Sequence, residues 1–338
     1  MNENLLRATA LQIAVPGRGI LAADESAATI KKRFADIKLE STEENRRAYR
    51  DLLFTTPHLH QYLSGVILFE ETLYQKTNDG TPFPAYLASQ GVLPGIKVDQ
   101  GLIPLALANN EETTQGLDSL AARLADYKKT NVKFAKWRCV YHIGVNKPSI
   151  TIVYTNAELL ARYAAICQSE DIVPIVEPEV LIDGDHNIER CAKITEMVLR
   201  QVFIALRRHR VILEGMILKP SMTIPGSKHE QANAQVIGET TIRVLRYAVP
   251  AAVPSINFLS GGQTPAQATA NLNAMHQHGP LPWNLSFSYG RALQEPVLQT
   301  WQGKAANVPA AQAAFIKRMK LNSAASLGKY TPSMESYH

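Results

Sequence analysis

Charged side chains recur along this 338-residue chain where buried strands should have none. Short apolar runs end in Asp24, in Lys97 and Asp99, in Lys136 and Arg138, in Glu177 and Glu179, and in Lys219. Two later runs lead into Ser260-Gly261-Gly262 and Tyr289-Gly290-Arg291. Burying such groups costs free energy unless something pairs or uses them. Their spacing is nearly constant: 39 positions from Lys97 to Lys136, 41 from Arg138 to Glu179, 40 from Glu179 to Lys219 and 41 from Lys219 to Ser260. Residues two apart in a strand share a face. Lys97 with Asp99, Lys136 with Arg138 and Glu177 with Glu179 therefore form same-facing pairs.

Several lysines beside two glutamates, with no metal-ligand cluster in the sequence, point to amine chemistry on a carbonyl. A lysine that attacks a ketone must be neutral. Bringing an amine from about 10.4 toward 7 costs roughly 4 kcal/mol, which burial and neighbouring cations can supply. Lys219 follows the most apolar run, Met216-Ile217-Leu218, and precedes Pro220, which favours extended backbone before it. Lys136, with Arg138 beside it, is its rival. An iminium on either would act as an electron sink for the adjacent C–C bond. Glu177, Glu179 and Asp24 are the carboxylates at hand for proton transfer. Backbone N–H groups around Ser260-Gly261-Gly262, leading to a helix start at Thr264-Pro265, suit a phosphate. Gly290-Arg291 adds a guanidinium fork.

The elements that must position these groups read as eight buried parallel strands, at 19–25, 66–71, 95–99, 134–140, 172–180, 211–219, 256–260 and 285–289, rich in Ile, Val, Leu and Phe. Longer helical stretches separate them. Ser41 with Glu44, Thr155 with Glu158 and Ser227 with Glu230 have the spacing of capping boxes, and Thr264-Pro265 reads as an N-cap followed by proline at N1. Eight strand-helix steps in one chain predict a (β/α)₈ TIM barrel, a single domain over 1–338 with a short mobile C-terminal tail from about 327. A doubly wound sheet is the runner-up. It would want a glycine-rich loop after the first strand, where Asp24-Glu25-Ser26 stands instead.

Composition narrows the classes. Net charge is +5 and no run of more than three Lys or Arg occurs, which leaves no footprint for nucleic acid. No apolar run approaches the roughly 20 residues of a membrane span. The start, Met1-Asn2-Glu3-Asn4, does not read as a leader, and three scattered cysteines suit a reducing cytoplasm. The histidines show no ligand spacing. Glu70 and Glu71 read as structural, and Trp137 should face the helices.

Six segments together resemble the class I fructose-1,6-bisphosphate aldolases: Leu21-Ala22-Ala23-Asp24-Glu25-Ser26, Phe134-Ala135-Lys136-Trp137-Arg138, Val176-Glu177-Pro178-Glu179, Leu218-Lys219-Pro220, Phe258-Leu259-Ser260-Gly261-Gly262-Gln263 and Phe287-Ser288-Tyr289-Gly290-Arg291-Ala292-Leu293. The likeness runs from about Gly17 to about Pro332. It implies a cytoplasmic homotetramer of glycolysis and gluconeogenesis that cleaves fructose 1,6-bisphosphate without metal or other cofactor. It makes Lys219 the Schiff-base lysine and Glu177 the main acid/base. Asp24 would take the C4 hydroxyl proton, while Glu179, Lys136 and Arg138 polarise and position. Ser260, Gly261, Gly290 and Arg291, with Arg33 nearby, would bind the 1-phosphate, and Ser26 and Lys97 would approach the 6-phosphate.

Two departures stand out. Ala27-Ala28-Thr29 follows the Asp-Glu-Ser motif where the family commonly has Gly and Ser or Thr. The tail after Tyr330-Thr331-Pro332 is short, with Tyr337 next to last in place of the family's terminal tyrosine, which assists proton exchange on the enamine. Another Schiff-base barrel lyase, needing one phosphate site, and a sugar-phosphate-binding protein without chemistry are the competing readings.

Overall fold

A computed structural model describes residues 1–336. Eight parallel strands close into a barrel: β1 (Gly19–Ala23), β2 (Leu63–Leu68), β3 (Leu93–Lys97), β4 (Phe134–Tyr141), β5 (Val173–Val180), β6 (Ile217–Leu218), β7 (Ser255–Phe258) and β8 (Asn284–Tyr289). They neighbour one another in chain order, and β8 returns to β1 with Ile20 opposite Ser288. That last pairing excludes the open doubly wound sheet. A two-stranded hairpin, Leu102–Pro104 with Glu112–Thr114, inserts after β3 and was not legible in the sequence.

One apolar layer inside the barrel lies directly beneath the charges. Ile20 and Ala22, Phe134, Ile175 and Ile217 are buried in a cluster with Leu6, Ala10 and Ile13 of the helix Glu3–Ile13. Contacts between that helix and both β2 and β5 close the N-terminal end. One pleat further along the same strand faces stand Asp24, Lys136, Glu177 and Lys219. The ladder registers them: Lys97 is opposite Lys136, and Arg138 opposite Glu177. The ring of Phe134 fills the middle of the barrel so closely that a Cβ at Gly95 would lie 2.1 Å from it, so this strand position admits only glycine. Trp137 points the other way, fully buried against Tyr163 of the helix Ile150–Ser169, as expected.

Several local expectations fail for identifiable reasons. The second strand lies three residues earlier than read, because Glu70 and Glu71 open a short helix, Glu70–Leu73. Their roles are structural: Glu70 accepts from the Tyr127 hydroxyl at 2.7 Å and Glu71 pairs with Arg46 at 2.6 Å. The sixth strand shrinks to Ile217–Leu218 because Leu213–Gly215 coils into a 3₁₀ turn against the helix Glu3–Ile13. None of the three capping boxes forms at a helix start. Thr42, not Ser41, caps Glu43–Phe54; Ser149 caps Ile150–Ser169, leaving Thr155 inside that helix; Asn233 caps Ala234–Ala248. Each true cap is a Ser, Thr or Asn one or six residues away whose side-chain oxygen accepts in the same manner. At Thr264 the box does form, with Gln267 as its partner.

Candidate active site

At the carboxyl rim a cleft of about 900 Å³ opens into the barrel. It collects every sequence-predicted site residue except Tyr337, which lies outside the described residues. Seven basic and seven acidic side chains line it, so the cleft is not simply an anion sink; pairing decides which charges are free. Lys136 is clamped, with Nζ 2.7 Å from Oδ2 of Asp24 and 3.2 Å from Oε2 of Glu177. Lys219 approaches only the other oxygen of Glu177, at 3.2 Å. Arg138 pairs with Glu179, and Lys97 with Asp99 at 2.6 Å. Among the described residues, the cleft's Lys32 and Arg291 form no salt bridge.

The pairing fixes protonation. Burial pushes the carboxyl of Asp24 upward, but Lys136 and Lys219 outweigh it and hold Asp24 far below the usual carboxylate range. Burial likewise raises Glu177, and Lys136, Lys219 and Arg138 bring it down, so it too is depressed. Burial favours a neutral Lys136, yet Asp24 and Glu177 reverse that and keep its ammonium charged well beyond the ordinary lysine range. Oε2 of Glu177 is buried and makes no hydrogen bond among the described residues, although Lys136 Nζ is 3.2 Å away; the contact is ionic, without donor alignment. Its lone pairs are open for proton transfer.

These depressions carry a pH prediction. A carboxylate depressed on folding contributes stability above its unfolded pKa, about 3.9 for Asp and 4.3 for Glu, and loses it as pH falls further. The Tm deficit of an Asp24→Asn variant should therefore be full at pH 7 and shrink steadily below about pH 4. An unchanged deficit down to pH 3 would contradict the depression.

Two parts of the rim bring backbone and polar side chains close together. Gly262 adopts φ +72°, and a Cβ there would come within 1.7 Å of Ile182, so the turn after β7 needs glycine. At the neighbouring Gly261 a Cβ would lie 3.1 Å from Oε1 of Glu179. Nη2 of Arg33 would be 3.7 Å from a Cβ on Gly290, which brings Arg33 to the start of the helix Arg291–Trp301. Elsewhere, Ser26 is the N-cap of Ala27–Ala35: its Oγ accepts from the Thr29 amide at 3.3 Å and lies 3.1 Å from the Thr29 hydroxyl. The altered Ala27-Ala28 pair thus forms the first turn of a helix that opens on the cleft.

Ser221, Ser288 and Lys32 line the cleft and were not singled out in the sequence. Ser288 was discoverable from β8 periodicity, since it lies one pleat below Gly290. Among the described residues no cluster of three or more His, Cys, Asp or Glu could hold a metal. His142 and His209 pair with Glu112 and Glu158, and the three cysteines are buried and free. No helix among the described residues is long and apolar enough to cross a membrane. In the described part of the tail both oxygens of Glu335 accept from Arg318, at 2.7 and 2.8 Å, and its carbonyl accepts from Lys317.

The family model for class I fructose-bisphosphate aldolase matches residues 5–338. The chain belongs to the class I fructose-bisphosphate aldolase family. A cytosolic fructose-bisphosphate aldolase of Arabidopsis thaliana is 58% identical over 326 residues, covering 96% of this chain and 91% of the relative. The fructose-bisphosphate aldolase of Drosophila melanogaster is 55% identical, covering 97% and 91%. The structure of the Plasmodium falciparum aldolase, solved in complex with TRAP and a small-molecule inhibitor, superposes with a TM-score of 0.96 at 50% identity, covering 97% of this chain and 95% of that one. As a class I aldolase the chain is a carbon–carbon lyase acting on a fructose bisphosphate. The class works through a lysine Schiff base. Plant relatives named as cytosolic agree with the cytoplasmic location expected from composition.

Proposed function

We propose that Lys219 forms the Schiff base with the C2 carbonyl of fructose 1,6-bisphosphate, with no metal or other cofactor taking part. The observation that supports this most is the unequal treatment of the two buried lysines. Lys136 is clamped between two carboxylates that keep it cationic, whereas Lys219 meets one oxygen of one carboxylate. A permanently charged amine cannot attack a carbonyl, but it can lend a field to the amine beside it.

In this reading the ionised Glu177, 3.2 Å from Lys219, takes a proton from its ammonium so that the free amine attacks the carbonyl, and returns that proton to the carbinolamine hydroxyl as it leaves as water, giving the iminium. Asp24, held ionised by Lys136, accepts the C4 hydroxyl proton as the C3–C4 bond breaks. The bonding electrons pass into the iminium to give an enamine, and glyceraldehyde 3-phosphate departs. Protonation of the enamine at C3 and hydrolysis then release dihydroxyacetone phosphate and restore Lys219. Glu179 and Arg138, paired one pleat above, fix Glu177 from the solvent side. Ser260, Gly261, Gly290, Arg291 and Arg33 hold the 1-phosphate; Ser26 and Lys97 hold the 6-phosphate, Lys97 exchanging its bond to Asp99 for one to the substrate.

The test is to treat the protein with dihydroxyacetone phosphate and borohydride, with and without EDTA, and map the adduct by mass spectrometry. One reduced adduct on Lys219, insensitive to EDTA, is expected. An adduct on Lys136 instead, or none on folded protein, would refute the assignment.

The chain is also proposed to form a homotetramer. Ile150, Tyr154 and Ile204 are exposed on the outer helices Ile150–Ser169 and Ile188–Arg208, apolar area that a subunit contact would cover. Sedimentation should give about four times the 37.3 kDa chain mass; a monomer mass at micromolar concentration would exclude it.

A further inference from the structure

Arg33 reaches the phosphate end of the cleft, yet it is held from beneath. Its Nη1 donates to Oε1 of the buried Glu25. Two more donors reach that carboxylate. Arg50, 3% exposed, gives Nη2 to Oε2 at 2.6 Å, and Gln294 gives Nε2 to Oε1 at 2.8 Å. Gln294 is fully buried and makes two further bonds. The same nitrogen donates to the carbonyl of Ala22 at 2.8 Å, and its Oε1 accepts from Nη1 of Arg50 at 3.3 Å.

This arrangement resists a stable alternative. A guanidinium beside a carboxylate favours the two-bond fork, in which Arg50 would take both oxygens of Glu25. Gln294 stands in the way: it takes the second nitrogen of Arg50 and caps Oε1. Gln294 and Arg33 then share Oε1, each donating to one of its lone pairs. Gln294 is also three residues beyond Arg291, one turn into the same helix.

We propose that Gln294 is a positioning residue for the substrate's ketone-side phosphate: by blocking the Arg50–Glu25 fork it keeps Glu25 in place to hold Arg33 beside Arg291. The proposal rests on the reading that this phosphate sits between Arg33, Gly290 and the Ser260 turn. Glu25 and Arg50 are the intermediates through which Gln294 acts; it touches no substrate atom.

Gln294→Met keeps the side-chain length and removes the amide. The dissociation constant for dihydroxyacetone phosphate and the KM for fructose 1,6-bisphosphate should rise about tenfold. The kcat should stay within about twofold, and the KM for glyceraldehyde 3-phosphate in the synthetic direction should not change. In an Arg50→Lys background, which has no fork to block, Gln294→Met should leave dihydroxyacetone phosphate binding unaltered. Equal losses in all constants, a fall in kcat alone, or the same weakening in both backgrounds would overturn the proposal. An Arg33→Gln control separates it from the reading beneath it. If Arg33→Gln weakens dihydroxyacetone phosphate and Gln294→Met does not, the positioning role falls. If neither does, the phosphate end itself is misplaced.

Discussion

The Lys219→Met variant should lose cleavage of fructose 1,6-bisphosphate by about five orders of magnitude, the scale on which removal of a covalent nucleophile is felt. It should also form no borohydride-trapped adduct with dihydroxyacetone phosphate. The size follows from the electron sink: without the iminium, the C3–C4 bond must break toward an unassisted ketone. Folding should survive. Methionine matches the length of the lysine stem, and Glu177 keeps Lys136 at 3.2 Å as a counter-charge. Steady-state kinetics with circular dichroism on the same sample decide it. A loss smaller than about a hundredfold in folded protein would remove Lys219 from the central role.

Lys136→Met should be the most costly change to stability at the site, and it should also slow turnover. Its removal strips the nearest cation from Asp24 and leaves Glu177 with Lys219 as its remaining ion-pair partner. Taking one partner from a buried ion pair typically costs about 3–5 kcal/mol, here with two carboxylates affected. Denaturant unfolding measures it, and a loss under about 1 kcal/mol would show that Lys136 does not hold them. The kinetic consequence has a definite sign. With Lys136 gone, Lys219 and Arg138 oppose burial less completely, so Asp24 and Glu177 rise toward their ordinary ranges. The acid limb of the kcat profile should therefore move to higher pH, and kcat near neutrality should fall by about 10²- to 10⁴-fold, the usual worth of proton transfer by a positioned group. Because Lys219 is intact, the trapped adduct should persist. Its loss together with Lys136 would mean that Lys136, not Lys219, carries the covalent step.

Much of this was legible beforehand because the signal is periodic and costly. An apolar run that ends in Lys, Glu or Asp carries free energy that selection must justify, and such ends recur about every 40 residues around a closed sheet. Strand existence and the rim residues followed from that. Boundaries did not. Ser41, Thr155 and Ser227 satisfy a local spacing rule, but the helices begin at Thr42, Ser149 and Asn233, because the start of each helix is set by where its buried face meets the barrel. The sixth strand is shorter than its apolar run because Leu213–Gly215 forms a 3₁₀ turn, while Val211 and Met216 on either side are buried in the core without joining the strand. Arg50 and Gln294 are not legible in the sequence, since each lies in a helix whose residue pattern gives no sign of a buried charge network.

The amino-acid sequence by itself determined the number of barrel strands, the shared face of the charged pairs on three of them and the roster of charged groups at the rim, because alternation along a strand and the cost of burying charge are local facts. Which charges meet was decided only by the tertiary structure. That Lys136 is clamped by Asp24 and Glu177 while Lys219 meets Glu177 alone, and that Glu25 answers to Arg33, Arg50 and Gln294 together, depends on the stagger of strands far apart in the chain. Protonation inside a barrel is set by such distances, and no spacing in the sequence encodes them.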